Sequence, residues 1–301
     1  MKKSLYLLFA LIPTLGFSQY QMDLVTRQSP DRSVSQKIGF TEIAIKYGSP
    51  MVKNRKIWGD LIPYDKVWRA GANWATTIAF SERVIINEKA IDKGIYSLFI
   101  IPKEHQKWVL ILNGTHRQWG AFKYDATKDV VRVEVIPQAI PKQEKLLFEI
   151  DNYSSQLALV NLKWAEVSLQ LPIEMDMVQP LDSLLTEKST KLGNDLKWVA
   201  YLQAAELLLQ EKQGLTKALE WIEQSETLAK LEMDWNAQYY PKAYILGHLY
   251  WTKARINGEL GNKKEALAAV AQMKNLDKPT FYEKEAVAEE IEQWIKKWQP
   301  E

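Results

Sequence analysis

The 301-residue chain has no cysteine. Thiol nucleophiles, zinc–thiolate centres and disulfide staples are therefore excluded, and stability must come from burial. Histidine is scarce. His105, His116 and His248 lie far apart with no carboxylate at ligand spacing, so no metal site is expected. Neither sign of charge is in excess: 39 basic and 37 acidic residues leave a net +2. That balance argues against a nucleic-acid footprint and against a funnel for acidic substrates. No hydrophobic run reaches the roughly 20 residues that span a bilayer. Also missing are a G-x-S-x-G elbow, a P-loop, a G-x-G-x-x-G turn and an H-E-x-x-H helix. No catalytic residue and no cofactor is assigned on this evidence.

The opening MKKSLYLLFALIPTLGFSQ reads as an export signal. Lys2 and Lys3 precede a short apolar stretch, Leu5–Ile12, and the small residues Gly16 and Ser18 stand at −3 and −1 of a cut before Gln19. Residues 1–18 are thus expected to be removed, leaving an exported chain, periplasmic or secreted, with no membrane span and no cysteine for lipid attachment. Its unusual feature is 12 tryptophans, six on each side of residue 165. Tryptophan serves both as core filler and as a stacking surface for ligands, so the count alone does not separate the two uses.

Two hydrophobic rhythms divide the mature chain. Up to Pro172 the period is two. Thr41, Ile43, Ile45 and Tyr47 share a face opposite Glu42 and Lys46; Val131, Val133 and Val135 oppose Arg132 and Glu134; Trp74, Thr76, Ile78 and Phe80 align. IYSLFII (95–101) and WVLIL (108–112) are nearly continuous apolar runs and read as central strands, with LLFEI, LALVNLKW and VSLQL as the last ones. Eight to ten short strands without interleaved helices predict an all-β domain over 19–172, an antiparallel sandwich or barrel.

Beyond Pro172 the period is helical. Trp198, Tyr201, Ala205 and Leu208 form one stripe; Ala218, Trp221, Ser225 and Leu228 another; Ala243, Leu246, Tyr250 and Ala254 a third; Val287, Ile291, Trp294 and Trp298 a fourth. Gly193-Asn194 and Gly261-Asn262…Glu265 carry stop-and-start chemistry, and Thr280…Glu283 has capping-box spacing. Five or six antiparallel helices over 173–301 are expected, an all-α helical-repeat-like bundle. The stretch with Ala254, Gly261, Ala266 and Pro279 resembles a tetratricopeptide unit, although Ala218 and Ala266 are 48 residues apart rather than about 34.

Two loop-rich stretches supply a candidate site. GSPMVKNRKIWGDLIPYDKVWRAGANW (48–74) has no clear period, yet is too apolar for disorder, so it is expected to fold over the sheet. LNGTHRQWGAFKYD (112–125) adds polar and aromatic side chains. Ending on one rim, the two would gather rings and donors suited to a small polar or glycan-like ligand. The candidate ligand-binding residues are Arg69, Asn73, Trp119, Trp58, Asn113 and Tyr124. Structural readings compete at several of them. Trp68 and Trp74 suit core anchors, and Arg69 suits an ion pair with Asp60 or Asp65. Asn73 suits a backbone bond in the Gly71 turn, and Lys53, Arg55 and Lys56 suit a solvated loop face. Trp119, beside Gly120, is expected to be exposed.

The motifs SPDRSVSQKIGFTEIAIKYGSP, IWGDLIPYDKVWRAGANWATTIAF, KGIYSLFIIP and QWGAFKYDATKDVVRVEV, in this order, resemble a secreted bacterial family frequent in Bacteroidetes, domain-of-unknown-function family 2911. The resemblance covers roughly residues 29–170 and brings no catalytic or ligand residues with it. Members usually place a glycine in the turn before the G-x-Y-x-L-F strand, where this chain has Asn87-Glu88. Three functions stay open on the sequence. One is a binding module for a small polar ligand. A second is an adaptor presenting residues 173–301 to a protein partner. The third is an envelope hydrolase using Asp60, Asp65, Asp125 or Asp129 with His116.

Overall fold

The computed structural model describes residues 28–192, 194–232, 242–276 and 285–299. The export signal, Gly193 of the first helix stop, Pro279 and the Thr280…Glu283 box lie outside the described residues, as does the side chain of Val287.

Ten strands come first: β1 (Asp31–Ile38), β2 (Thr41–Gly48), β3 (Ala72–Phe80), β4 (Val84–Ile86), β5 (Lys89–Ile91), β6 (Gly94–Ile101), β7 (Trp108–Asn113), β8 (Asp129–Val135), β9 (Gln138–Asn152) and β10 (Leu157–Met175). They form two antiparallel sheets, one of six strands in the order β1-β2-β3-β6-β7-β8 and one of four in the order β5-β4-β10-β9. The alternation in the sequence explains the layering. Ile43, Ile45, Ile78, Phe80, Leu98, Leu110 and Val133 of the larger sheet share one buried core with Phe148, Val160, Leu162, Leu171 and Ile173 of the smaller. The architecture is sandwich-like, and β6 and β7 are interior strands as their apolar runs predict.

The segments LALVNLKW and VSLQL, read above as two strands, are one. Ala165 has φ +51° and the pairing with β9 shifts on either side of it. This bulge changes the side-chain parity: Ala158, Val160, Leu162 and Trp164 point inward before it, and Leu169, Leu171, Ile173 and Met175 after it.

The chain then turns helical: α1 (Val178–Lys191), α2 (Asn194–Gln210), α3 (Leu215–Glu232), α4 (Lys242–Glu259), α5 (Lys263–Lys274) and α6 (Glu285–Trp298). α2 packs on α3, and α4 on α5. Their core includes Trp198, Ala205, Leu208, Ala218, Trp221, Leu246, Ala254, Ala266, Ile291 and Trp298. Gly261, at φ +81°, ends α4, and the Asn262 N–H donates to the Asn257 carbonyl at 2.8 Å. Asn262 occupies the next N-cap but makes no side-chain capping bond; its Nδ2 donates instead to Asn257 Oδ1 at 3.2 Å. No helix of the described residues is long and apolar enough to cross a membrane.

Hydrogen bonds join the two halves where the β9–β10 turn meets the α2–α3 turn. Ser155 Oγ donates to Glu211 Oε2 at 2.6 Å, Gln156 Nε2 donates to the same oxygen at 2.7 Å, and Gln213 Nε2 donates to the Met175 carbonyl at 3.0 Å. Phe40, in the β1–β2 turn, packs on the helical core.

Candidate functional site

Cross-strand register places Ser33, Lys46, Thr77, Ser97 and Asn113 side by side across β1, β2, β3, β6 and β7. Their chain neighbours Ile45, Ile78, Leu98 and Leu112 face the core, so this polar row runs along the outer face of the six-stranded sheet. One end of the row is covered. Ser97 Oγ donates to the Thr115 carbonyl at 2.8 Å; Asn113 Nδ2 donates to the Asp125 carbonyl at 2.9 Å and to Asp129 Oδ1 at 2.7 Å. These bonds hold the 114–124 loop down over Ala75, Phe99 and Ile111, a second small core against which Tyr124 packs.

The other end of the row is an open cleft of about 570 Å³. Lys46 and Thr77 contribute from the sheet, Arg32 and Ser33 from β1, and Trp74, His116 and Arg117 from the opposite side. Among the described residues no ion pair engages Arg32, Lys46 or Arg117, so the cleft, with Asp31 as its one lining carboxylate, carries a positive surplus. Trp74 is 50% exposed and Trp119 42%, with their rings edge to face at 5.5 Å between centroids. Phe122, in the same loop as Trp119, is 87% exposed.

The two loop stretches do meet here, through backbone bonds from Ala75 N to the Gln118 carbonyl and from Gly120 N to the Asn73 carbonyl, both 3.0 Å. The exposure of Trp74 corrects its expected role as a core anchor sharing a face with Thr76, Ile78 and Phe80. Asn73 adopts φ +61°, and the β2–β3 pairing slips between Lys46–Thr77 and Gly48–Ala72. This irregularity uncouples Trp74 from the parity of the strand that follows. It also requires glycine at 48, where a Cβ would lie 2.3 Å from the Ala72 carbonyl oxygen.

The other candidates lie elsewhere. Trp58 is buried on the core side. Its ring meets those of Trp68 at 5.6 Å, Trp108 at 4.7 Å and Trp164 at 5.7 Å, so the 48–74 stretch does fold over the sheet with Trp68 as an anchor. Asn113 is fully buried and serves as the loop fastener. Tyr124 is a fastener too: its hydroxyl donates to Asp129 Oδ2 at 2.7 Å and accepts from Arg132 Nη2 at 2.8 Å. Burial, and then the bond to Asp129, raise the Tyr124 phenol above its ordinary value. Asn73 bonds backbone as expected, but the acceptor is Ser29 at 2.9 Å rather than the Gly71 turn. Arg69 pairs with neither Asp60 nor Asp65; it lines a separate cavity with Lys53 and Arg55.

Of the four aspartates weighed for acid–base chemistry, Asp125 caps the short 3-10 turn Ala126–Lys128, accepting from Thr127 N at 2.9 Å and Thr127 Oγ1 at 2.8 Å. Those bonds hold its carboxyl below the ordinary range. Asp129 is committed to Asn113, Tyr124 and Arg132. No group of three or more metal-ligating side chains occurs among the described residues. The cleft residues that loop reading missed are Arg32, Ser33, Lys46 and Thr77. Their signal was the polar side of the alternation, which marks an outer face but not which part of that face stays uncovered.

No curated protein and no solved structure matches the chain. Residues 29–173 match the model of the family described as protein of unknown function (DUF2911), which identifies the sheet domain as a domain of that kind.

Proposed function

We propose that this is an exported binding protein whose cleft, on the outer face of the six-stranded sheet, holds a small polar, glycan-like ligand. The observation that carries the reading is the meeting of an exposed indole ring, Trp74, with Arg32, Lys46, His116 and Arg117 around one open volume of about 570 Å³, the exposed Trp119 packing edge to face against Trp74. A sugar ring offers an apolar face to an indole and hydroxyls to surrounding donors and acceptors. The surplus of cations further favours a sugar bearing an acidic substituent. The volume falls within the roughly 300–1,000 Å³ of small-molecule sites. Export rests on Lys2-Lys3, the apolar stretch behind them and the Gly16-x-Ser18 pair.

The test is a melting-shift screen of the full chain against neutral and acidic oligosaccharides, followed by calorimetric titration of any that bind. Trp74→Ala and Trp119→Ala are each expected to weaken binding by about tenfold, the loss of one aromatic contact of ~1.4 kcal/mol. Ile136→Ala, an exposed position away from the cleft, is expected to leave it unchanged. Wild-type affinity in the Trp74→Ala/Trp119→Ala double variant would remove the cleft from consideration.

A further inference from the structure

On the far side of the Gly48–Ala72 pairing from the cleft lies a cavity of about 240 Å³, bounded by the β2–β3 loop and Trp164. We propose that it binds an oxyanion, the carboxylate or phosphate group of a small solute, with Arg69 as the principal grip.

The lining contains three cations, Lys53, Arg55 and Arg69, and no acidic residue. Arg55 is satisfied within its own loop, donating from Nε to the Val52 carbonyl at 3.0 Å and from Nη2 to the Met51 carbonyl at 2.5 Å. Arg69 is not satisfied. Its Nε is shut off from solvent and has no acceptor. Burial lowers the pKa of this guanidinium, with no carboxylate opposing the effect, yet arginine stays charged in proteins. The contrast with Arg83 and Arg132, which hold Asp92 and Asp129 at 2.8 Å, is direct.

The indole at the cavity wall that does face a neighbour is already served: Trp68 Nε1 donates to the Gly71 carbonyl at 3.1 Å. Arg69 is therefore the charged lining group left with buried bonding capacity and no partner, and a charged group without one is costly. An oxyanion supplies what is missing, because it brings acceptor oxygens only and a guanidinium can grip two of them at once.

The backbone at Arg69 is already fixed for this role. Trp68 exchanges two 2.8 Å bonds with Ile100, Thr76 N donates to the Arg69 carbonyl at 3.1 Å, and Thr76 Oγ1 holds the Ala70 carbonyl at 2.9 Å. These bonds fix the backbone from which the guanidinium departs, so binding need not order this segment. The volume, below the roughly 300 Å³ at which drug-sized sites begin, suits a small acid or a terminal acidic group.

The experiment titrates the purified full chain with inorganic phosphate and, separately, with succinate, each against sodium chloride at matched ionic strength. Melting temperature and tryptophan fluorescence are followed. A melting-temperature rise of about 3 °C at tenfold excess over Kd, with a saturable fluorescence change, is expected with at least one probe and neither with chloride. A response to phosphate alone assigns a phosphoryl group, to succinate alone a carboxylate, and to both a general oxyanion site. Arg69→Gln is expected to weaken binding at least tenfold while melting no lower than wild type in chloride, since it removes a desolvated charge and no native bond. Should that variant fail to fold, Arg69→Lys, which keeps the charge but loses the two-pronged grip, is expected to weaken binding several-fold. No saturable response to either probe, or wild-type affinity in the folded variants, overturns the proposal. Because the cleft test uses oligosaccharides and the Trp74/Trp119 variants, failure of one reading is distinguishable from failure of the other.

Discussion

Asn87 and Glu88 link β4 to β5 as a two-residue turn in which both backbones are left-handed, at φ 51° and 63°. Asparagine tolerates that geometry, whereas glutamate strains its Cβ against the following carbonyl. No glycine is present there to relieve the strain, and the hairpin forms regardless because Val84, Ile86 and Ile91 are anchored in the core. Glu88 is exposed. Glu88→Gly is therefore expected to stabilise the protein by about 0.5–1 kcal/mol, after allowing for the greater freedom of glycine in the unfolded chain, read as a higher urea midpoint at unchanged slope. The tryptophans show the limit of residue-level reading. Trp58, Trp68, Trp108 and Trp164 fill the core while Trp74 lines the cleft and Trp119 packs on its exposed side, and composition treats all six alike.

Among the elements, α4 and α6 approach so closely that a Cβ at Gly258 would lie 2.3 Å from the indole of Trp298, a ring only 1% exposed. Gly258→Ala has to displace that ring, and with it the neighbouring Trp251 and Trp294 at 6.2 and 5.4 Å. The expected cost is about 1–3 kcal/mol, measured by chemical unfolding of the full chain, although alanine is the better helix former. The helical stripes with Trp298 and Ala254 on them were visible from spacing. Which helix Trp298 would meet was not, since periodicity specifies a face and is silent about the partner. β10 makes the same point among strands: two apolar runs out of phase look like two strands, and the Ala165 bulge makes them one.

For the molecule as a whole, Glu211 is the titratable link in the union of sheet and helices, accepting from both Ser155 and Gln156 beside the Gln213 and Phe40 contacts. Those bonds hold its carboxyl below the ordinary range. A depressed pKa in the folded state means the contribution is complete above the unfolded value and disappears as pH falls through the folded one. Acidification below the ordinary carboxylate range is thus expected to loosen the junction, seen as a growing radius of gyration in solution scattering. Glu211→Ala is expected to show a loosened junction already at neutral pH and to split the calorimetric transition in two. Glu211→Gln, which retains an acceptor oxygen without titrating, is expected to flatten the pH dependence.

The sequence by itself determined the class of each half, because a two-residue rhythm turns every second side chain to a core and a 3.6-residue rhythm draws a stripe along a helix; both are local geometry. It likewise marked Trp68 as an anchor, though Trp74 with it, marked Trp119 as exposed, and singled out two loops that backbone bonds at Ala75 and Gly120 bring together. Tertiary structure alone decided that the cleft is floored by Lys46 and Thr77, that Asn113 and Tyr124 fasten the loop, that Trp74 turns outward, and that Arg69 lies over a cavity without a carboxylate. Those outcomes depend on contacts between distant strands and loops, and the outward turn of Trp74 also on the left-handed Asn73, which shifts a side chain from one face to the other. Such choices are settled by which surfaces meet, and hydrophobic spacing along one segment does not record its neighbours.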